Sequence, residues 1–95
     1  MAAYIIADVD VKDATGFDEY RKLVPATLTP YGGKFAVRGG KLEALEGTWA
    51  PKRLVVLEFP SLEQARRWYD SPEYKTPKAM RFKTAMTNLI LVEGA

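Results

Sequence analysis

The residues able to do chemistry in this chain are arginines, carboxylates and aromatic rings, because histidine and cysteine are both absent. Without cysteine there is no thiolate nucleophile, no disulfide and no thiolate metal ligand. Without histidine the usual general base, haem ligand and metal ligand near neutral pH are missing. No metal site and no cofactor are expected. Arg38 and Arg53 are the cations of interest, since a guanidinium can grip a carboxylate or enolate by charge-assisted, bidentate hydrogen bonds. The competing reading pairs Arg38 with Asp8 or Glu58. Those two carboxylates are the catalytic candidates: burial that raised the pKa of either toward neutrality would make it a proton-transfer base, whereas beside an arginine it is structural. Trp49, Trp68 and Tyr69, with Tyr74, are able to wall an aromatic pocket or simply to pack. Tyr31, just before Gly32 and Gly33, is placed to present its hydroxyl at a pocket mouth, although the glycine pair is already explained as a helix end.

Tyr4–Val11 alternates as a strand, with Ile5, Ala7, Val9 and Val11 on one face and Tyr4, Ile6, Asp8 and Asp10 on the other. Asp13 and Thr15 offer caps for a first helix, in which Phe17, Tyr20, Val24, Leu28 and Tyr31 recur at helical spacing. Pro25 falls inside it and predicts a kink or break. Lys34–Arg38 reads as a second strand, with Phe35 and Val37 on one side and Ala36 and Arg38 on the other. Gly39–Gly40 reads as a bulge or bend rather than a full stop or a phosphate cradle, with Leu42 and Leu45 continuing the β pattern. After a loop at Glu46–Pro51, Arg53–Phe59 is the third strand, ended by Pro60. Ser61 and Gln64 form a capping box for a second helix running toward Tyr69. Ser71 caps a further turn with Pro72 at its first position, and Pro77 opens another turn carrying Ala79, Met80 and Phe82. Thr87–Val92 is the last strand.

The 95 residues are expected to form one domain, 1–95, of α+β class: a β-α-β-β-α-β antiparallel sheet with helices on one face. The open face would carry Tyr4, Ile6, Leu54 and Val56 beside Asp8, Arg38 and Glu58. That is too apolar for a solvated surface and too charged for a dry core. Two copies packed sheet to sheet would cover it and enclose a charged pocket, so a homodimer is expected. A net charge of +2 spread along the chain implies no polyanion partner. RNA-recognition domains share the strand order, but aliphatic residues stand in Arg53–Phe59 where stacking rings would be needed, so no nucleic acid is expected. No apolar run spans a membrane, and the first residues lack the basic start of a secretory signal, so the expected location is cytoplasmic.

Several stretches in fixed order resemble one family: Tyr31–Phe35, Arg38-Gly39-Gly40, Leu45–Trp49, Glu58–Ser61 and Trp68–Tyr74. They are similar to the family catalogued as domain of unknown function 1330, over nearly the whole chain. The resemblance implies a ferredoxin-like fold in the dimeric α/β-barrel superfamily, which includes cofactor-independent monooxygenases, lactone isomerases, chlorite dismutases and dye peroxidases. It implies no particular activity. Together these readings point to a small organic acid or enolisable compound bound at the sheet face by Arg38, with Asp8 or Glu58 moving a proton. The alternative is an accessory or stress-related dimer without small-molecule chemistry, whose mark would be pocket charges that all pair with one another.

Overall fold

The first strand forms because its side chains alternate between a covered and an open side. In β1, Ala3–Val11, residues Ala3, Ile5, Ala7 and Val9 are buried while their neighbours are only partly covered. The computed structural model describes residues 1–95. After β1 come α1 (Ala14–Leu28), a single 3-10 turn (Thr29–Tyr31), β2 (Lys34–Arg38), β3 (Leu54–Phe59), α2 (Leu62–Tyr69), α3 (Pro72–Thr84) and β4 (Ala85–Glu93). The strands form one antiparallel sheet in the order β2-β3-β1-β4. This is the α+β, ferredoxin-like arrangement expected from the element order. All three helices lie on the side of Ile5, Leu57 and Phe59, where Phe17, Val24, Leu28, Ala65, Trp68 and Tyr74 complete the core. The result is a two-layer slab of 35 × 34 × 17 Å, bare on the other side of the sheet.

The helix ends follow from their caps. Asp13 accepts from the Gly16 N–H at 3.1 Å, Ser61 from Gln64 at 3.2 Å and Ser71 from Tyr74 at 3.1 Å. Ser71 also donates its hydroxyl to the Trp68 carbonyl at 2.7 Å, so one buried side chain ends α2 and starts α3. Ser71→Ala should therefore cost about 1–2 kcal/mol in urea unfolding, because it removes two buried hydrogen bonds at once, the cap on Tyr74 and the hydroxyl's bond to the Trp68 carbonyl, which keeps the Ser71 N–H at 3.1 Å.

Pro25 does not break α1, which runs on to Leu28. Proline has no N–H to offer the carbonyl four residues back, which belongs to Arg21. That carbonyl instead receives a hydrogen bond from Arg38 Nη2 at 2.9 Å. Pro77 likewise lies within a continuous α3.

Gly39 is a bend, one of the two readings of the glycine pair, but the strand ends there and the bulge lies elsewhere. β2 stops at Arg38, Gly39 takes a left-handed backbone (φ 66°), and Leu42 and Leu45 belong to no strand. The irregularity is one turn earlier: Phe35 faces Leu57 and Val37 faces Val56, so Ala36 is the extra residue. One inserted residue exchanges the faces of everything after it. Arg38 accordingly pairs with Val55 and points to the helix side with Phe35, not to the open face with Asp8 and Glu58.

Candidate functional site

On the covered side, helical spacing alone brings Tyr74, Pro77, Arg81 and Thr84 of α3 to its buried stripe. Tyr20, on the inward stripe of α1, meets this stripe with its hydroxyl 2.7 Å from that of Tyr74. Arg81 Nε donates to the Tyr74 oxygen at 3.2 Å. Arg81 is only 4% exposed, and none of the chain's ion pairs includes it. A buried cation without a carboxylate is costly, which makes this group the most unusual in the fold. Burial by itself weakens its hold on the proton; the oxygens of Tyr74 and Tyr20 more than offset this and leave the pKa above the usual arginine value. Burial, reinforced by the neighbouring Tyr74, pushes the Tyr20 hydroxyl far above the ordinary phenol range. It is therefore a hydrogen-bonding group and not a base. Arg81, Tyr20, Tyr74 and Trp68 line a cavity of about 40 Å³ otherwise walled by apolar side chains.

Trp68, like Tyr74 an aromatic named from the sequence as a pocket wall, lines this cavity. It stacks on Tyr74 with ring centroids 4.0 Å apart and donates its indole N–H to Thr27 Oγ1 at 3.0 Å. Tyr69 points away and carries Lys78 Nζ over its ring at 4.1 Å. Tyr31 donates its hydroxyl to Glu73 Oε1 at 2.7 Å, which lowers the Glu73 pKa and raises that of Tyr31. Arg38 and Arg53 sit at the outer edge of the covered side, over the rings of Phe35 and Phe17 at 4.2 and 5.7 Å.

The open face holds the two carboxylates, but it does not bring them together. Glu58 is opposite Tyr4 and Asp8 is opposite Leu54. Four residues of strand separate them, roughly 13 Å, so they cannot serve one reacting atom. Each has a partner: Asp8 Oδ2 accepts from the Trp49 indole at 3.0 Å, and Glu58 is 3.6 Å from Lys34. Asp10 pairs with Lys12 at 2.8 Å and Lys52 at 3.8 Å, and the hydrogen bond from Lys12 leads in lowering its pKa. Two clefts of about 300 and 230 Å³ share Asp8 on this face. Asp10 and Glu58 on this face are thus ion-paired and Asp8 is held by the Trp49 indole alone, while the least compensated arginines lie behind the sheet. Tyr20, Arg21 and Arg81 were not among the candidates that the sequence suggested. Arg81 was findable: it lies seven residues after Tyr74 and four after Pro77, on the same helical stripe.

The family described as Domain of unknown function (DUF1330) matches residues 2–95. No curated protein matches the sequence. Among solved structures, the chain is similar to a protein of unknown function from Rhodopseudomonas palustris: TM-score 0.78, 17% identity, 99% of this chain and 82% of that one covered. It is also similar to SnoaB, a cofactor-independent oxygenase from Streptomyces nogalater: TM-score 0.67, 11% identity, 99% and 93% covered. An ethyl tert-butyl ether d (EthD) family protein from Bacillus halodurans gives a TM-score of 0.57 at 20% identity, with 100% of both chains covered. At these identities the likeness is one of fold, the α+β ferredoxin-like fold.

Proposed function

Because the chain belongs to the domain of unknown function 1330 family, whose description names no activity, we propose a function from its geometry. The protein binds a small organic acid or enolisable compound behind the sheet, and two copies pair through their open faces. The observation that carries the binding site is Arg81, a buried guanidinium whose one side-chain hydrogen bond goes to the Tyr74 hydroxyl and not to a carboxylate. A carboxylate or enolate oxygen reaching it would supply the missing negative charge. In a site with little water, such a preorganised cation also stabilises an enolate as it forms. The cavity of about 40 Å³ holds only a few atoms, so it receives the head of the ligand. The body must pass the Phe17, Tyr20 and Val55 wall, which also lines the arginine edge.

Pairing is supported by what the open face exposes. Val37, Met86, Ile90 and Val92 are exposed there, and a face of 35 × 34 Å exceeds the roughly 800 Å² per partner that a stable interface buries. The ion pairs of Asp10 and Glu58, and the Trp49 hydrogen bond to Asp8, suit an interface better than a reacting site.

A thermal-shift screen against small carboxylic acids, phenols, quinones and lactones tests the binding site. One chemical class should stabilise the protein, by about 2.7 kcal/mol at a hundredfold excess over the dissociation constant. Arg81→Met should fold, since replacing a buried charge with an apolar chain of similar length is often neutral or better, and it should lose the response. Indifference of the wild type to every class, or a full response in Arg81→Met, would remove Arg81 from the site.

A further inference from the structure

Three guanidinium groups converge where α1 passes the β2–β3 edge. Arg21 belongs to α1, Arg38 ends β2, and Arg53 precedes β3. Their compensation is slight. Arg21 Nη1 is 3.6 Å from Asp18 Oδ1, with both side chains well exposed, and Arg38 has only the Arg21 carbonyl. The Nε atoms of Arg21 and Arg53 are buried and have no hydrogen-bond partner. Like charges held this close repel unless something negative lies between them. Burial first, then Arg21 and Arg38, hold the Arg53 pKa below the usual arginine value. Asp18, Arg21, Lys22 and Arg38 line an open cleft of about 380 Å³. A narrower pocket of about 30 Å³ adjoins it, where all three arginines meet Phe17 and Phe35.

Two features of the backbone hold this cluster in place. Pro25 frees the Arg21 carbonyl that positions Arg38. Gly39, at φ 66°, leaves the Arg53 guanidinium the space that a Cβ would take.

We propose that this cleft binds the oxyanion of a small organic acid, a carboxylate or a phosphate ester, gripped by Arg21, Arg38 and Arg53. The unpartnered Nε groups are donors in want of an acceptor, and planar guanidinium forks match both oxyanions. The proposal rests on the interior reading only for the apolar part of the ligand, which would lie toward the shared Phe17, Tyr20 and Val55 wall.

The test is thermal unfolding at constant ionic strength, with chloride exchanged for inorganic phosphate or for benzoate. At about ten times the dissociation constant the melting temperature of the wild type should rise by roughly 5–10 °C. Arg38→Met should abolish the rise. Pro25→Ala restores the helical N–H, so it should keep the fold and weaken the anion roughly tenfold by releasing Arg38. Arg81→Met should leave the phosphate response intact. No rise in the wild type, or an equal rise in Arg38→Met and Pro25→Ala, overturns the cleft. Loss of the phosphate response in Arg81→Met overturns it too, because the anion would then sit in the interior. A phosphate response that needs Arg38, beside a benzoate response indifferent to Arg81, leaves the cleft standing and removes the interior site.

Discussion

Trp68→Ala should lose about 3–5 kcal/mol of unfolding free energy in urea titration, the usual cost of deleting a buried large aromatic. A 95-residue domain has only about 5–14 kcal/mol in all, so this single change takes about a fifth of it or more. Trp68 is 1% exposed, lies 5.6 Å from Phe59 and 4.0 Å from Tyr74 between ring centroids, and joins α2 to α1 through Thr27. Most of the loss is packing. The Thr27 hydroxyl still donates to the Val24 carbonyl at 2.7 Å when the indole is gone, so no buried donor is orphaned. Trp68→Phe keeps a ring in place and should cost far less. A loss below about 1 kcal/mol in Trp68→Ala would mean that the helices do not rest on the sheet as described.

Ile90→Arg should turn a dimer into a monomer in sedimentation or light scattering, without comparable loss of fold. Ile90 is 58% exposed, faces Ile6 across the β1–β4 ladder, and Ile6 in turn faces Val56. These three side chains form an apolar row across the middle of the open face. An unpaired charge buried in an interface costs about 2–5 kcal/mol, and a two-fold interface carries the substitution twice. The dissociation constant should therefore rise at least about a thousandfold. Arg67→Glu, on the opposite layer, should leave the assembly unchanged. A wild-type chain that stays monomeric at high concentration would contradict the pairing.

The architecture was legible because each element carried its own local cause: alternation in β1, serine caps before α2 and α3, and a stripe of Phe17, Tyr20 and Val24 in α1. Pro25 was read as a kink or break, yet the helix runs through it, because the cost of a missing N–H depends on who else serves the freed carbonyl. For Pro25 that is Arg38, which is 13 residues further along and invisible to local pattern. The position of Arg38 was misread for a related reason. Strict alternation puts it with Asp8 on the open face, and one extra residue at Ala36 puts it behind the sheet. Nothing in the local composition marks Ala36 as a bulge, whereas the conspicuous Gly39–Gly40 pair attracted that reading. Arg21 and Arg81 were passed over because an arginine within a helix is ordinarily solvated. Only the packing of α1 on α3 and the sheet shows that one of them is buried and the other lacks an acceptor.

The two tryptophans report on the two sides of the sheet, which makes one spectrum decisive. Trp68 lines the interior cavity, while Trp49 is 64% exposed and stands at the open-face cleft with Asp8. Their indole N–H resonances, recorded in a nitrogen-15 correlation spectrum at fixed protein concentration, should be followed during titration with the best acid or enolisable compound from the thermal screen. A site behind the sheet predicts that the Trp68 indole resonance moves with saturation and that of Trp49 stays still. Movement of Trp49 with Trp68 unchanged would place the ligand on the open face and contradict the assignment to Arg81.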